Sequence, residues 1–221
     1  NKDIGASDKR LFTTIGSIQS VSTTGSTYVY NDGALEAVTE NTDPAMQAGG
    51  SIFVTATSPI TVTSNIVATS GNINIVANES SDAEYAADLN AAVIAARPAN
   101  YGSLTAQEQA DIDAASAAAF PSEDDYDSVT VAAGVTVAAT AGSINIWAGD
   151  HAVIEDKALL VANLDVNIVT DVATNAANSD GSSNLDGTTP VVVVQANRDD
   201  LDGGDVTVAG SINAGRNIQI N

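Results

Sequence analysis

The sequence predicts an all-β chain folded as a three-sided parallel β-solenoid of about 20–22 residues per coil, with an α-helical hairpin inserted into it. Three observations carry this: a recurring five-residue motif, the interval between its copies, and one Ala-rich stretch whose period is helical. The motif is Gly, any residue, β-branched, any residue, β-branched. It reads Gly50-Ser51-Ile52-Phe53-Val54, Gly71-Asn72-Ile73-Asn74-Ile75, Gly142-Ser143-Ile144-Asn145-Ile146 and Gly204-Asp205-Val206-Thr207-Val208, with Leu164-Asp165-Val166-Asn167-Ile168 as a variant lacking the glycine. Ile52 and Ile73 are 21 residues apart, Ile144 and Val166 22.

Each interval also holds two further short apolar runs. Ile60-Thr61-Val62 and Ile66-Val67 fill the first; Ala152-Val153-Ile154 and Leu159-Leu160-Val161 fill the second. Three strands per interval, separated by small or polar residues, make one coil of a three-sided solenoid. A three-residue strand cannot bury its apolar face alone. Stacked ~4.8 Å from its equivalents above and below, it completes a parallel sheet and a continuous core.

The inward positions are then Ile52, Val54, Ile60, Val62, Ile73, Ile75, Val129, Val131, Val135, Val137, Ile144, Ile146, Val166, Ile168, Val206, Val208, Ile212, Ile218 and Ile220. Burial contributes about 1.5–3 kcal/mol for each such side chain before entropy is subtracted. Asn72, Asn74, Asn145 and Asn167 alternate with them, so they face outward or form polar ladders between coils.

Residues 79–126 break the pattern. Ser81-Asp82-Ala83-Glu84 has the form of a capping box, after which Tyr85, Leu89, Val93 and Ala96 recur at helical spacing up to Arg97-Pro98. Thr105-Ala106-Gln107-Glu108 opens a second helix that ends before Pro121. The two form a helical hairpin inserted at a corner, with its apolar stripe packed on the solenoid flank. Residues 171–190, rich in Asn, Asp, Ser and Gly, read as a surface loop leading into Val191-Val192-Val193-Val194. Residues 1–221 thus make a single module carrying two excursions.

Composition narrows the partners. Seven Lys and Arg against 28 Asp and Glu give a formal charge of −21, which repels phosphate, so nucleic acid and anionic membrane are set aside. No segment approaches the ~20 apolar residues of a membrane span, so direct membrane insertion is not expected. The absence of Cys excludes disulfides and thiolate chemistry.

His151, the single histidine, sits beside a corner in Gly149-Asp150-His151 and reads as a solvated or hydrogen-bonded turn residue. No nucleophile elbow or phosphate loop is present, and the seven cations are scattered, so no catalytic residues, no required cofactor and no enzyme are expected. Metal binding is the better site hypothesis. Asp199, Asp200, Asp202 and Asp205 surround a glycine turn, as a hard-oxygen Ca²⁺ site requires, and Asp124, Asp125 and Asp127 form a similar run at the hairpin exit. The reading preferred to a bound ion is an acidic loop kept soluble and unpaired. Asn78-Glu79-Ser80 has the form of an N-glycosylation acceptor.

The opening Asp3-Ile4-Gly5-Ala6-Ser7, the run Arg10-Leu11-Phe12-Thr13-Thr14-Ile15-Gly16-Ser17-Ile18, the Gly-x-Ile-x-Ile strands and the closing Gly210-Ser211-Ile212-Asn213-Ala214-Gly215-Arg216-Asn217-Ile218-Gln219-Ile220 resemble filamentous-haemagglutinin-type repeats of very large bacterial exoproteins. The resemblance covers residues 1–77 and 128–221; the helical hairpin is not part of the usual repeat. It implies a right-handed parallel β-helix, an extracellular or cell-surface location, and work as a fibre, stalk or adhesin.

Joining Asn217–Asn221 to Asn1–Gly5 itself reads as repeat sequence, which suggests stacking on copies of the chain or on neighbouring modules of the same chain. The functional expectation is therefore a structural module of a stiff rod. The alternatives are an adhesin or carbohydrate-binding surface, in which the hairpin and the 171–190 loop meet a glycan or cell-surface ligand, and a β-helical polysaccharide-degrading enzyme.

Overall fold

The computed structural model describes residues 2–7, 10–40, 43–78, 82–174, 193–195 and 204–221. The chain winds through six coils and begins a seventh. The first coil holds β1 (Leu11–Thr13), β2 (Ser17–Ile18) and β3 (Ser20–Ser22), and the second β4 (Thr27–Asn31), β5 (Leu35–Ala37) and β6 (Met46–Ala48). The third holds β7 (Ile52–Ala56), β8 (Ile60–Val62) and β9 (Ile66–Ala68). In the fourth, β10 (Ile73–Ala77) is followed by helices α1 (Asp82–Ala95) and α2 (Ala106–Ala118), then by β11 (Val129–Val131) and β12 (Thr136–Ala139). The fifth holds β13 (Ile144–Ala148), β14 (Ala152–Ile154) and β15 (Leu159–Ala162). In the sixth, β16 (Val166–Val169) is followed by β17 (Val172–Thr174) and β18 (Val193–Gln195), then by β19 (Val206–Val208) and β20 (Ser211–Ala214); β21 (Ile218–Ile220) begins the next coil.

Equivalent strands stack into three parallel sheets, as the spacing predicts: β1-β4-β7-β10-β13-β16-β21, β2-β5-β8-β11-β14-β19 and β3-β6-β9-β12-β15-β20. This is a three-sided parallel β-helix. Register keeps like side chains over like. In the first sheet one column runs Ile52, Ile73, Ile144, Val166, Ile218, and a second runs Val29, Val54, Ile75, Ile146, Ile168, Ile220. Alanine fills the narrow corner of the third sheet in the column Ala48, Ala68, Ala139, Ala162, Ala214. Through coils two to five these inward side chains are sealed from solvent in one continuous core.

The motif now has a mechanical explanation at its second position. Ser51 N–H donates to Ser26 Oγ at 3.0 Å, Asn72 N–H to Ser51 Oγ at 3.1 Å, Ser143 N–H to Asn72 Oδ1 at 2.9 Å, and Asp165 N–H to Ser143 Oγ at 3.3 Å. Asp3 accepts from Ser26 N–H at 2.6 Å and Asp165 from Asn217 N–H at 3.2 Å, so the corner ladder runs the length of the stack. A short polar side chain is needed there because it accepts the next coil's amide. The preceding glycine is needed for room: a Cβ on Gly142 would come within 2.2 Å of the Gly71 carbonyl oxygen. On the outer face, Asn74, Asn145 and Asn167 form the expected ladder, while Tyr28 and Phe53 stack at 4.9 Å in the same column.

Several expectations are corrected. Two complete coils precede Gly50, and Gly25-Ser26-Thr27-Tyr28-Val29 is an unrecognised copy of the motif. Val206–Val208 lies in the second sheet, although its motif resembles that of the first-sheet strands; Gly204 serves its corner by letting the backbone approach the Asp150 carbonyl oxygen, which a Cβ would meet at 2.1 Å. Val193 and Val194 do not join the solenoid sheets but pair with β17 in an antiparallel ribbon, so the 171–190 segment opens with a strand. Val191 and Val192 lie outside the described residues, as do Ser81, Glu79 and Ser80.

The hairpin's stripe faces inward on itself. α2 has no buried residue, and each helix packs mainly on the other. The loop beyond α1 is locked by Arg97, which donates from Nε and Nη2 to both Asp113 oxygens at 3.0 and 2.7 Å and lies over the Tyr101 ring, while Tyr101 Oη donates to Asp113 at 2.7 Å. The Thr105–Glu108 capping box is present.

The tandem junction also fails on register. Ile4 pairs with Thr27 and Ile218 with Val166, so both stand in the same first-sheet column. Joined directly, they would be 7 residues apart, too few for strands on the other two faces.

Candidate functional site

Both excursions leave the solenoid at one corner, between the first and second sheets. The fifth coil turns this corner with Gly149, Asp150 and His151 alone. Register aligns Asn78, Asp127 and Ser128 with these three in the coil before, and Asp171, Gly204 and Asp205 in the coil after. The hairpin is therefore residues 79–126 let into a three-residue corner, and 172–203 is let into the next-but-one. Asp171 turns out of the coil at φ +57°.

The three corners are tied along the axis. Asp127 N–H donates to Asp150 Oδ2 at 2.7 Å, His151 N–H to Ser128 Oγ at 3.2 Å, and Asp205 N–H to His151 Nδ1 at 2.9 Å. His151 thus acts as a turn residue, as the sequence implies.

The hairpin is anchored at its base by aromatic packing. The Tyr126 ring is buried, set edge-on to Tyr85 at 5.2 Å and tilted against Phe120 at 5.4 Å, and its hydroxyl donates to Asp88 on α1. Burial, reinforced by the Asp88 hydrogen bond, pushes the phenol above its ordinary pKa, and the Ser58 hydroxyl beside it opposes the shift. Tyr85 Oη donates to the Pro121 carbonyl at 3.0 Å and closes the base.

Between this base and the second and third coils lies a cavity of ≈ 250 Å³, walled by Ser58, Pro59, Asp88, Phe120, Pro121 and Tyr126. A neighbouring hollow of ≈ 270 Å³ over the second sheet includes Leu35, Glu36 and Thr61, and shares Ala34 and Pro59 with the first. Ser58 is 1% exposed, and its hydroxyl stands beside that of Tyr126 with no partner inside hydrogen-bond distance among the described residues. A buried polar group left in that condition costs about 1–3 kcal/mol.

Of the carboxylates singled out in the sequence, Asp125, Asp127 and Asp205 are not gathered at one place. Asp125 accepts from Ser122 Oγ at 2.6 Å within a short 3₁₀ turn, Glu123–Asp125, whereas Asp127 is buried at the corner beside Asp150. Asp205 is exposed at the next corner, and Asp199, Asp200 and Asp202 lie outside the described residues. Among the described residues no group of three or more His, Asp or Glu is placed to hold a metal ion. Sequence reading missed Ser58, Asp88 and Tyr126. The available signal was the placement of Tyr85, Phe120 and Tyr126 around the two ends of the insertion.

No family model, curated protein or solved structure matches the chain.

Proposed function

We propose that this chain is a structural, non-catalytic module of a secreted or cell-surface fibre, in which the coil stack continues axially into a further coil and forms a stiff rod. The observation that carries the reading is the directional corner ladder together with the chemistry of the two ends. In every step of the ladder the earlier coil offers a side-chain acceptor and the later coil an amide N–H, so the stack has a polarity that only a coil of the same direction can extend. Among the described residues eight large apolar side chains are exposed, and seven sit on the end coils: Leu11, Phe12, Ile15 and Val21 at one, Val208, Ile218 and Ile220 at the other. Apolar ends with unpaired strand edges favour an axial neighbour.

The neighbour after β21 brings strands for the second and third sheets first, because β21 already supplies the first. A neighbouring module of the same chain meets this requirement directly. A separate copy does so where its contact is offset by those two strands. The resemblance to filamentous-haemagglutinin-type exoproteins supports the same reading and the extracellular location. No described helix is long and apolar enough to cross a membrane.

The test is to append a copy of residues 148–169 after Asn221, which keeps the first-sheet register and adds β14, β15 and β16 equivalents. A higher melting temperature with one cooperative transition is expected, since Val208, Ile218 and Ile220 become covered. An extension that unfolds separately, with the parent transition unmoved, would refute axial growth. Micrographs of the parent chain at high concentration then decide whether copies also associate into rods.

A further inference from the structure

The groove between hairpin and solenoid carries a ligand chemistry that does not depend on axial stacking. Its two hollows adjoin at Ala34 and Pro59. Asp88 stands in one and Glu36 in the other, and neither hollow is lined by Lys, Arg or His. Glu36 lies in β5 on the outer side of the second sheet, where Oε1 accepts from Thr63 Oγ1 at 2.8 Å and the residue lines the second hollow. Ala34 and Pro59, shared by the two hollows, and Phe120 and Pro121 in the first add hydrocarbon surface to the lining. The third polar feature is the unpartnered, buried Ser58 hydroxyl in the wall.

Anions are disfavoured by both carboxylates and by the chain's charge of −21. A neutral alcohol leaves both carboxylates without a counter-charge. A short hydrocarbon body with an ammonium at each end matches all three features: an ion pair at each carboxylate, apolar contact between them, and an N–H for the Ser58 oxygen. We propose that this groove binds a small organic dication of the α,ω-diaminoalkane class, with Asp88 and Glu36 as its two charge partners and Ser58 as a hydrogen-bond acceptor.

The probe is 1,4-diaminobutane, titrated into the full chain at low ionic strength and followed by the amide NMR shifts of Ala34, Ser58 and Phe120. Saturating shifts are expected there, with none from 1-butanol or butanoate. A diffuse cation atmosphere is the rival explanation, and substitutions separate the two. Asp88→Asn and Glu36→Gln each remove one of 28 acidic residues, yet each is expected to weaken binding about tenfold, whereas Asp156→Asn at an exposed corner leaves it unchanged.

Equal weakening by all three, or shifts that rise without saturating, would overturn the site. Asp88→Asn also frees the Tyr126 hydroxyl, so its helical circular dichroism is checked first. Glu36→Gln stands apart from the hairpin anchor, and undiminished binding in that folded variant overturns the two-ended site whatever Asp88→Asn does.

Discussion

Asn167 donates from Nδ2 to Oδ1 of Asn145 at 2.8 Å, and Asn145 does the same to Asn74, also at 2.8 Å, so one side chain in the middle serves both neighbours. Replacing Asn145 with Ala removes a donor from Asn74 and an acceptor from Asn167. Replacing Asn167 removes only the donor to Asn145. Asn145→Ala is expected to cost about 1 kcal/mol, the partial exposure of the ladder letting water repair some of the loss, and Asn167→Ala about half of that. Urea unfolding with an unchanged slope measures both; equal costs would show that the asparagines act singly.

Two glycines separate room from flexibility. Gly142→Ala puts a methyl against the Gly71 carbonyl and Asn72 Oδ1 at the corner ladder, while Gly16→Ala meets nothing within 4 Å and has no left-handed backbone to strain. The expected costs are about 2–4 kcal/mol for the first and near zero, or a slight gain, for the second. A harmless Gly142→Ala in thermal melts would show that coils slide apart more easily than the ladder distances imply.

These two positions also show what the sequence made legible. Where a coil carries Ile or Val at both inward positions and a glycine at the bend, as at Gly50, Gly71 and Gly142, period and face can be read directly. The coil starting at Gly25 was hidden because its inward positions include Thr27 and Asn31, whose polar groups are satisfied internally; Asn31 accepts from Thr13 Oγ1 and Ile15 N–H and donates to the Gly33 and Ala34 carbonyls. No hydropathy period registers a buried asparagine with four partners. The groove was hidden for a different reason. Ser58, Asp88 and Tyr126 are brought together by the corner at which the hairpin departs, and sequence separation holds no trace of that.

Acid is expected to loosen the hairpin before the solenoid. The Arg97 hydrogen bonds, then that from Tyr101, hold the Asp113 carboxyl below the ordinary aspartate value, and the Thr105 bonds lower Glu108 at the cap of α2. A depressed folded-state pKa means stability that is fully present above the unfolded value, near pH 4, and lost as pH falls through the lower folded value. Helical ellipticity should therefore decline below about pH 4 while the β signal persists. Asp113→Asn should start with the weaker hairpin at pH 7 and show a smaller acid-induced change. An identical acid profile in the variant would remove Asp113 from the account.

Position along one column sets the cost of truncation. Ile146 is sealed in the fifth coil, whereas Ile220, in the same column, is 47% exposed. Ile146→Ala should cost about 3–4 kcal/mol and Ile220→Ala under about 1 kcal/mol. In the chain extended by residues 148–169 the second cost should rise toward the first, because Ile220 gains a coil above it. A cost that stays small there would mean that the added strands do not dock in register.

Removing the hairpin tests whether it is an insertion in the physical sense. Deletion of residues 79–126 joins Asn78 to Asp127 and leaves Asn78-Asp127-Ser128 between β10 and β11, the same length as the Gly149-Asp150-His151 corner one coil later. The bonds that hold this corner survive on paper: Asn78 N–H still reaches the Ala56 carbonyl at 2.9 Å, as Gly149 N–H reaches Ala77 at 3.0 Å, and Asp127 N–H still reaches Asp150. The loss is the aromatic base around Tyr126, which gives up its burial together with the surface that it covered near Ser58 and Pro59. Since Ser58 then meets water, part of that loss is returned. The expected product unfolds cooperatively within several degrees of the parent, lacks the helical signal, and shows no saturable response to 1,4-diaminobutane. A deletion that aggregates or melts without cooperativity would make the hairpin an integral support of the fourth coil instead of a unit carried by it.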